Sequence, residues 1–178
     1  MLLVLVPSLA ACPGWFETGD DGPSGIDMGG EFELDPSCEL DGELTVEIGD
    51  GTNGFKALVG NAGPIVHHGS QGGTHMWVGA RIGGLALDRY DVVRVGIGAF
   101  DPLQCEPVGE PCKGRPLWFD GEWVLGDVVP LEPVDEHTIE QDRLTALFDI
   151  HGQALVLELG AADPCGQTGF DQLRHIPE

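Results

Sequence analysis

Residues 75–82 read HMWVGARI, and residues 92–99 read VVRVGIGA. Apolar side chains fall on every second position, at Met76, Val78, Ala80 and Ile82 in the first and at Val93, Val95, Ile97 and Ala99 in the second. A period of two sends successive side chains to opposite faces of an extended chain, so both segments are predicted as strands with one buried face. On the N-terminal side, ELTVEI (43–48) repeats the pattern through Leu44, Val46 and Ile48 before the turn-rich GDGTNG. On the C-terminal side, Leu144, Ala146, Phe148 and Ile150 alternate up to His151-Gly152, and Leu155, Leu157 and Leu159 alternate after it, which predicts a hairpin. A second hairpin is predicted where two aromatic runs, Leu117-Trp118-Phe119 and Glu122-Trp123-Val124, flank Asp120-Gly121, because Asp-Gly suits a two-residue turn. The segment VDEHTIEQDRLT (134–145) has room for a helical turn or two, and FDQLRHI (170–176) reads as a closing strand. Seven or eight short strands separated by Gly- and Pro-rich turns predict an all-β domain over residues 37–178, an antiparallel immunoglobulin-like β-sandwich, with a small barrel or jelly roll as the competitor.

Composition sets the surroundings of this domain. The chain has 178 residues, 30 acidic against 8 basic side chains and a net charge of −22. Phosphate backbones are held by clustered Lys and Arg, so nucleic acid is excluded as a partner, and anionic lipid surfaces are disfavoured on the same ground. The charge also opposes tight self-association at low salt, which predicts a monomer. With 28 Gly and 13 Pro the chain approaches the composition of disordered segments, yet 42% hydrophobic residues suffice for a core. A folded body with a polar appendage reconciles the two.

That appendage lies at the N-terminus. Residues 1–11, MLLVLVPSLAA, form an apolar stretch that ends in small residues directly before Cys12. The run Leu9-Ala10-Ala11-Cys12 resembles a bacterial lipobox, although no Lys or Arg precedes it. The resemblance implies a lipoprotein signal peptide over 1–11, cleavage before Cys12, and lipidation of that cysteine. Pro13 in place of an inner-membrane retention aspartate implies placement at the outer membrane or cell surface. Residues 14–35, GWFETGDDGPSGIDMGGEFELD, carry seven acids and no base. A segment with no apolar period and a single sign of charge stays solvated, so residues 12–36 are predicted as a flexible acidic tether. Asp20, Asp21 and Asp27 do not follow the alternating spacing of a calcium loop.

Four cysteines follow: Cys38, Cys105, Cys112 and Cys165. An even number in an exported chain predicts two disulfides, with three pairings open. Cys105 and Cys112 enclose only EPVGEP, the cheapest loop to close, which leaves Cys38 for Cys165. A bridge closing more than a hundred residues stabilises by about 4 to 5 kcal/mol on the chain-entropy model. No Cys-x-x-Cys pair favours a metal instead.

The most distinctive stretch is His67-His68-Gly69-Ser70-Gln71-Gly72-Gly73-Thr74-His75-Met76-Trp77. It resembles a Gly-x-Gln-Gly-Gly-x-His motif of uncharacterised exported bacterial lipoproteins, where the motif leads into an apolar strand of a β-sandwich. The resemblance runs from about Leu44 to Phe100 and implies fold and location, with no activity. Chemically, His67, His68 and His75 are imidazole donors and Met76 a soft thioether, a set suited to copper or zinc. If Ser70–Gly73 is a four-residue loop, Gly69 pairs with Thr74, His68 falls opposite His75 on the face of Trp77, and Gln71, Gly72 and Gly73 shape the turn. His68, His75 and Trp77 are then the candidate ligand or metal contacts, with His137, His151 or His175 as sources of a third imidazole.

Catalytic signatures are weak. His68 stands two residues before Ser70, where a nucleophile elbow needs Gly, and GIGAF (96–100) lies inside a strand without the helix and Lys of a phosphate loop. Asp120 with Glu122, or Asp135 with Glu136, carries no signal where acids are this abundant. Trp118, Phe119 and Trp123 offer stacking rings, but their alternation assigns part of the set to the core. The expectation is a non-enzymatic binding or structural module with no cofactor, anchored to the membrane by lipid alone and facing a protein or glycan partner. A periplasmic copper or zinc protein using the His67–His75 segment is the alternative.

Overall fold

The computed structural model describes residues 35, 38, 43–58, 62–69, 73–106, 109–113, 116–117, 120–126, 129–148 and 154–175. The readings placed on the leader, Cys12, the tether other than Asp35, Trp118, Phe119, Ser70–Gly72 and His151-Gly152 lie outside them, while Asp35 N donates to Pro164 O at 2.6 Å. The described chain is all-β. In order it forms β1 (Thr45–Asp50), β2 (Lys56–Ala57), β3 (Val66–His68), β4 (Thr74–Gly83), β5 (Val93–Phe100), β6 (Asp120–Leu125), β7 (Thr138–Phe148), β8 (Leu155–Ala162) and β9 (Thr168–His175), with one 3-10 turn at Pro102–Gln104.

Two antiparallel sheets pack face to face as a sandwich. In the first, β4 has β7 along one edge, while β1 and β3 share the other, β1 pairing with Val78–Gly83 and β3 with Thr74–Met76. Strand β2 folds back on the end of β1. The second sheet has the order β6-β5-β8-β9. The alternation read from the sequence holds at the core: Met76, Val78, Ala80 and Ile82 are fully buried and cluster with Val93, Val95, Ile97 and Ala99 and with Leu155, Leu157 and Leu159. Among the described residues nine strands appear where seven or eight were expected, because the edge beside β4 is split into β1 and β3.

Both predicted hairpins are corrected. Asp120 and Gly121 are not a turn; they lie inside β6, opposite Gly98 and Ile97 of β5. A local turn preference gives way to a six-residue ladder on a buried strand. Nor do β7 and β8 pair: β7 joins β4 in the first sheet, whereas β8 sits between β5 and β9 in the second. Alternation specifies which face is apolar, and two strands that meet one core from opposite sheets share it. The region expected to hold a helical turn bends through Val134–His137 and then enters β7.

Strand β8 is buried on both faces, including Glu158 at 0% exposure. Its outer face is covered by the loop closed by the Cys105–Cys112 disulfide, where Phe100, Cys105 and Val156 pack together. The Glu158 carboxylate accepts the Cys112 N–H at 2.7 Å and the Gln172 amide, which offsets the cost of burying its charge. Cys38–Cys165 is the other disulfide, as its spacing predicted. It ties the start of the domain to the β8–β9 turn beside the seam at which Leu44 N donates to Thr168 O (3.1 Å) and Ile48 N to Asp171 Oδ2 (2.8 Å).

Candidate functional site on the outer face of β4

Since Met76, Val78, Ala80 and Ile82 fill the core, His75, Trp77, Gly79 and Arg81 stand on the opposite face of β4. Gly69 N donates to Gly73 O at 2.7 Å, so the pairing is Val66 with Met76, His67 with His75, and His68 with Thr74. This corrects the expected contact set: a one-residue change of register moves every side chain of β3 to the other face. His67, rather than His68, joins His75 and Trp77, and His68 is exposed on the face of Val66. The His67 and His75 rings stack with centroids 5.5 Å apart and planes inclined by 27°. The edge of His75 meets Trp77 at 5.9 Å. Of the turn residues, Gly73 supplies the carbonyl that closes the loop, while Gln71 and Gly72 lie outside the described residues.

The split edge strand supplies the next layer. Where β1 ends, Thr52 folds over the Asp50 side chain, donating its N–H at 3.3 Å and its hydroxyl at 2.6 Å to Oδ1. Thr52 Oγ1 also lies 2.9 Å from His67 Nε2. With the hydroxyl proton directed to the carboxylate, Oγ1 is the acceptor, and His67 Nε2 carries the hydrogen. Asp50, only 3% exposed, thereby orients His67 through Thr52. The arrangement leaves Nδ1 as the basic nitrogen of neutral His67.

Strand β7 supplies the third. Val78 pairs with Thr145 but Ala80 with Gln141, so β7 carries two extra residues opposite Gly79. Arg143, in this bulge, has φ of +47°, a left-handed conformation unfavourable for a residue with a Cβ. Glycines admit the crowding: a Cβ on Gly51 would stand 2.7 Å from Arg143 N, and one on Gly79 would stand 3.1 Å from Gly51 Cα. The bulge aims Arg143 back over the sheet, with its guanidinium carbon 5.7 Å from the centre of the Trp77 ring and Nη2 donating to Thr52 O at 3.3 Å. Bulges and left-handed non-glycine residues concentrate where a side chain must be re-aimed at a functional surface.

Further along β4, Arg81 is neutralised. Its guanidinium bonds Glu140 Oε1 (2.6 and 2.8 Å) and Glu47 Oε2 (2.9 Å) across the two flanking strands, and lies 4.5 Å above Phe55. These contacts, Glu140 foremost, raise the Arg81 pKa above its ordinary value. This triad braces the sheet and frames the His67–His75–Trp77–Arg143 cluster.

The other imidazoles stand apart from it. His137 lines an open cavity of about 550 Å³ with Leu87, Asp88, Pro133, Asp135 and Glu136. There the His137 N–H holds the Asp135 carboxylate below its usual range. His175 is buried at the end of β9 against Gly63, and desolvation lowers its pKa. Among the described residues no group of three or more His, Cys, Asp or Glu side chains is arranged around a metal position. Sequence reading passed over Asp50, Thr52, His67 as the cross-strand partner of His75, and Arg143. The available signals were Gly79 inside an apolar strand and a Gly-Asp-Gly-Thr turn at a strand end. No family model matches the chain, and neither a curated protein nor a solved structure does.

Proposed function

We propose that this chain is an exported, lipid-anchored cell-envelope protein whose β-sandwich is a non-enzymatic binding module, with the outer face of β4 as its contact surface. The carrying observation is the convergence of half-buried His67, His75 and Trp77 with Arg143 on a solvent-facing sheet surface built around a bulge. Aromatic and Arg side chains are the usual anchors of binding surfaces, being large, amphipathic and rich in donors. Two disulfides favour an oxidising compartment, and the lipobox resemblance at Cys12 supplies the anchor. The resemblance of residues 69–75 to a Gly-x-Gln-Gly-Gly-x-His motif of exported lipoproteins points to the same location.

Two experiments test this reading. Radiolabelled fatty acid fed to producing cells is expected to label the chain and to be lost in Cys12→Ser; an unlabelled wild-type chain removes the anchor. Amide NMR titration with peptidoglycan fragments, lipopolysaccharide and solubilised envelope proteins is expected to perturb residues around Trp77 and Arg143 with one of them. Affinity should fall about tenfold or more in Trp77→Ala. Perturbations confined to another face, or affinity unchanged in that variant, overturn the contact surface.

A further inference from the structure

We infer that His67 and His75 together bind one divalent transition-metal ion from the imidazole-seeking end of the first row, Cu2+ ahead of Zn2+. The inference rests on reading the outer face of β4 as the contact surface and names a ligand for it. The two histidines face each other across β3 and β4, with ring centroids 5.5 Å apart. With metal–nitrogen bonds of about 2.0 Å and each nitrogen about 1.1 Å from its ring centre, two imidazoles sharing one ion at an angle of roughly 90 to 110° have centroids about 4.5 to 5.2 Å apart. The cross-strand pair, at 5.5 Å, is a few tenths of an ångström wider than that, so a small side-chain adjustment brings both rings onto one ion.

A second, independent feature is the support behind His67. Metal-bound histidines characteristically donate their other ring N–H to an acceptor, which sets the tautomer and raises the basicity of the ligating nitrogen. Here Nε2–H donates to Thr52 Oγ1, whose own proton goes to the buried Asp50 carboxylate. The relay leaves Nδ1 as the donor atom of His67. Two imidazole ligands with no thiolate select copper and zinc over magnesium or calcium, and the Irving–Williams order places Cu2+ above Zn2+. Two protein ligands leave coordination positions for water in the isolated chain.

The test is titration of the purified full chain with Cu2+ and with Zn2+ by calorimetry, with electron paramagnetic resonance of the copper form. One equivalent is expected to bind, Cu2+ more tightly, with a two-nitrogen copper signal. Stoichiometric binding should disappear in His67→Ala and in His75→Ala, weaken about 10- to 100-fold in Thr52→Val, and persist in His68→Ala. Absence of binding, or one-equivalent binding that survives both His67→Ala and His75→Ala, overturns the inference. Should those variants fail to fold, the wild-type imidazole resonances decide: Zn2+ must shift the ring signals of His67 and His75, and unshifted rings overturn it. A chain that binds no metal yet responds to an envelope ligand around Trp77 loses this inference and keeps the contact surface. Metal binding that survives Trp77→Ala, with no envelope ligand found, does the reverse.

Discussion

At the scale of single residues, buried His175 and half-buried Tyr90 each tie stability to pH. Neither ring nitrogen of His175 has a hydrogen-bond partner among the described residues, and burial favours its neutral form. Its pKa is lowered below the ordinary 6.5, so as the pH falls the unfolded chain takes up this proton first. The associated stability is present above pH 6.5 and is lost on acidification. Urea midpoints between pH 7.5 and 5 should therefore fall more steeply in the wild type than in His175→Leu. Tyr90 has the opposite sign. Its hydroxyl donates to the fully buried Asp163 carboxylate and accepts the Ala86 N–H, and burial followed by the Asp163 bond raises its pKa. The stability tied to it is present below about pH 10 and lost as the pH climbs further. Tyr90→Phe strips a buried carboxylate of a donor, and equilibrium unfolding at pH 7 should record a loss of about 1 to 3 kcal/mol.

At the scale of elements, the decisive feature is the meeting of the β1 end with the β7 bulge over Gly79. A Cβ on Gly51 would stand 2.7 Å from the Arg143 backbone nitrogen, a contact that forces the backbone to move. Gly51→Ala is therefore expected to cost about 1 to 3 kcal/mol in thermal or urea unfolding, and to shift the His67 and Trp77 resonances. A variant with wild-type stability and spectra would show that the bulge does not position the site. This junction was only faintly legible in the sequence. Gly79 interrupts an apolar alternation, but its partners, Gly51 and Arg143, arrive from the two strands flanking β4. The same limit explains the His67–His75 pairing, since register depends on loop geometry over residues 69–73 and a shift of one residue exchanges the faces.

At the scale of the whole molecule, the two disulfides do unequal work. Cys38–Cys165 spans 127 residues and Cys105–Cys112 spans 7, so the first removes far more freedom from the unfolded chain. Loss of the long bridge is expected to cost about 4 to 5 kcal/mol and loss of the short one about 2 to 3 on the chain-entropy model. Paired Cys→Ala variants compared by urea midpoint check this order. Greater loss from the short bridge would mean that the covering of β8 over Glu158 outweighs loop closure.

The sequence by itself determined the all-β class, the strands of the core and the faces they bury, because a period of two is written locally and survives any arrangement of partners. It also singled out the disulfide pairing, since the length of each loop is a property of the chain alone. Only the tertiary structure decided which strands are neighbours: it drew Asp120-Gly121 into a ladder with β5, sent β7 and β8 to different sheets, and placed His67 beside His75. Those choices depend on pairings between distant segments that compete for the same buried edges, and alternation reports a face without naming the strand it will meet.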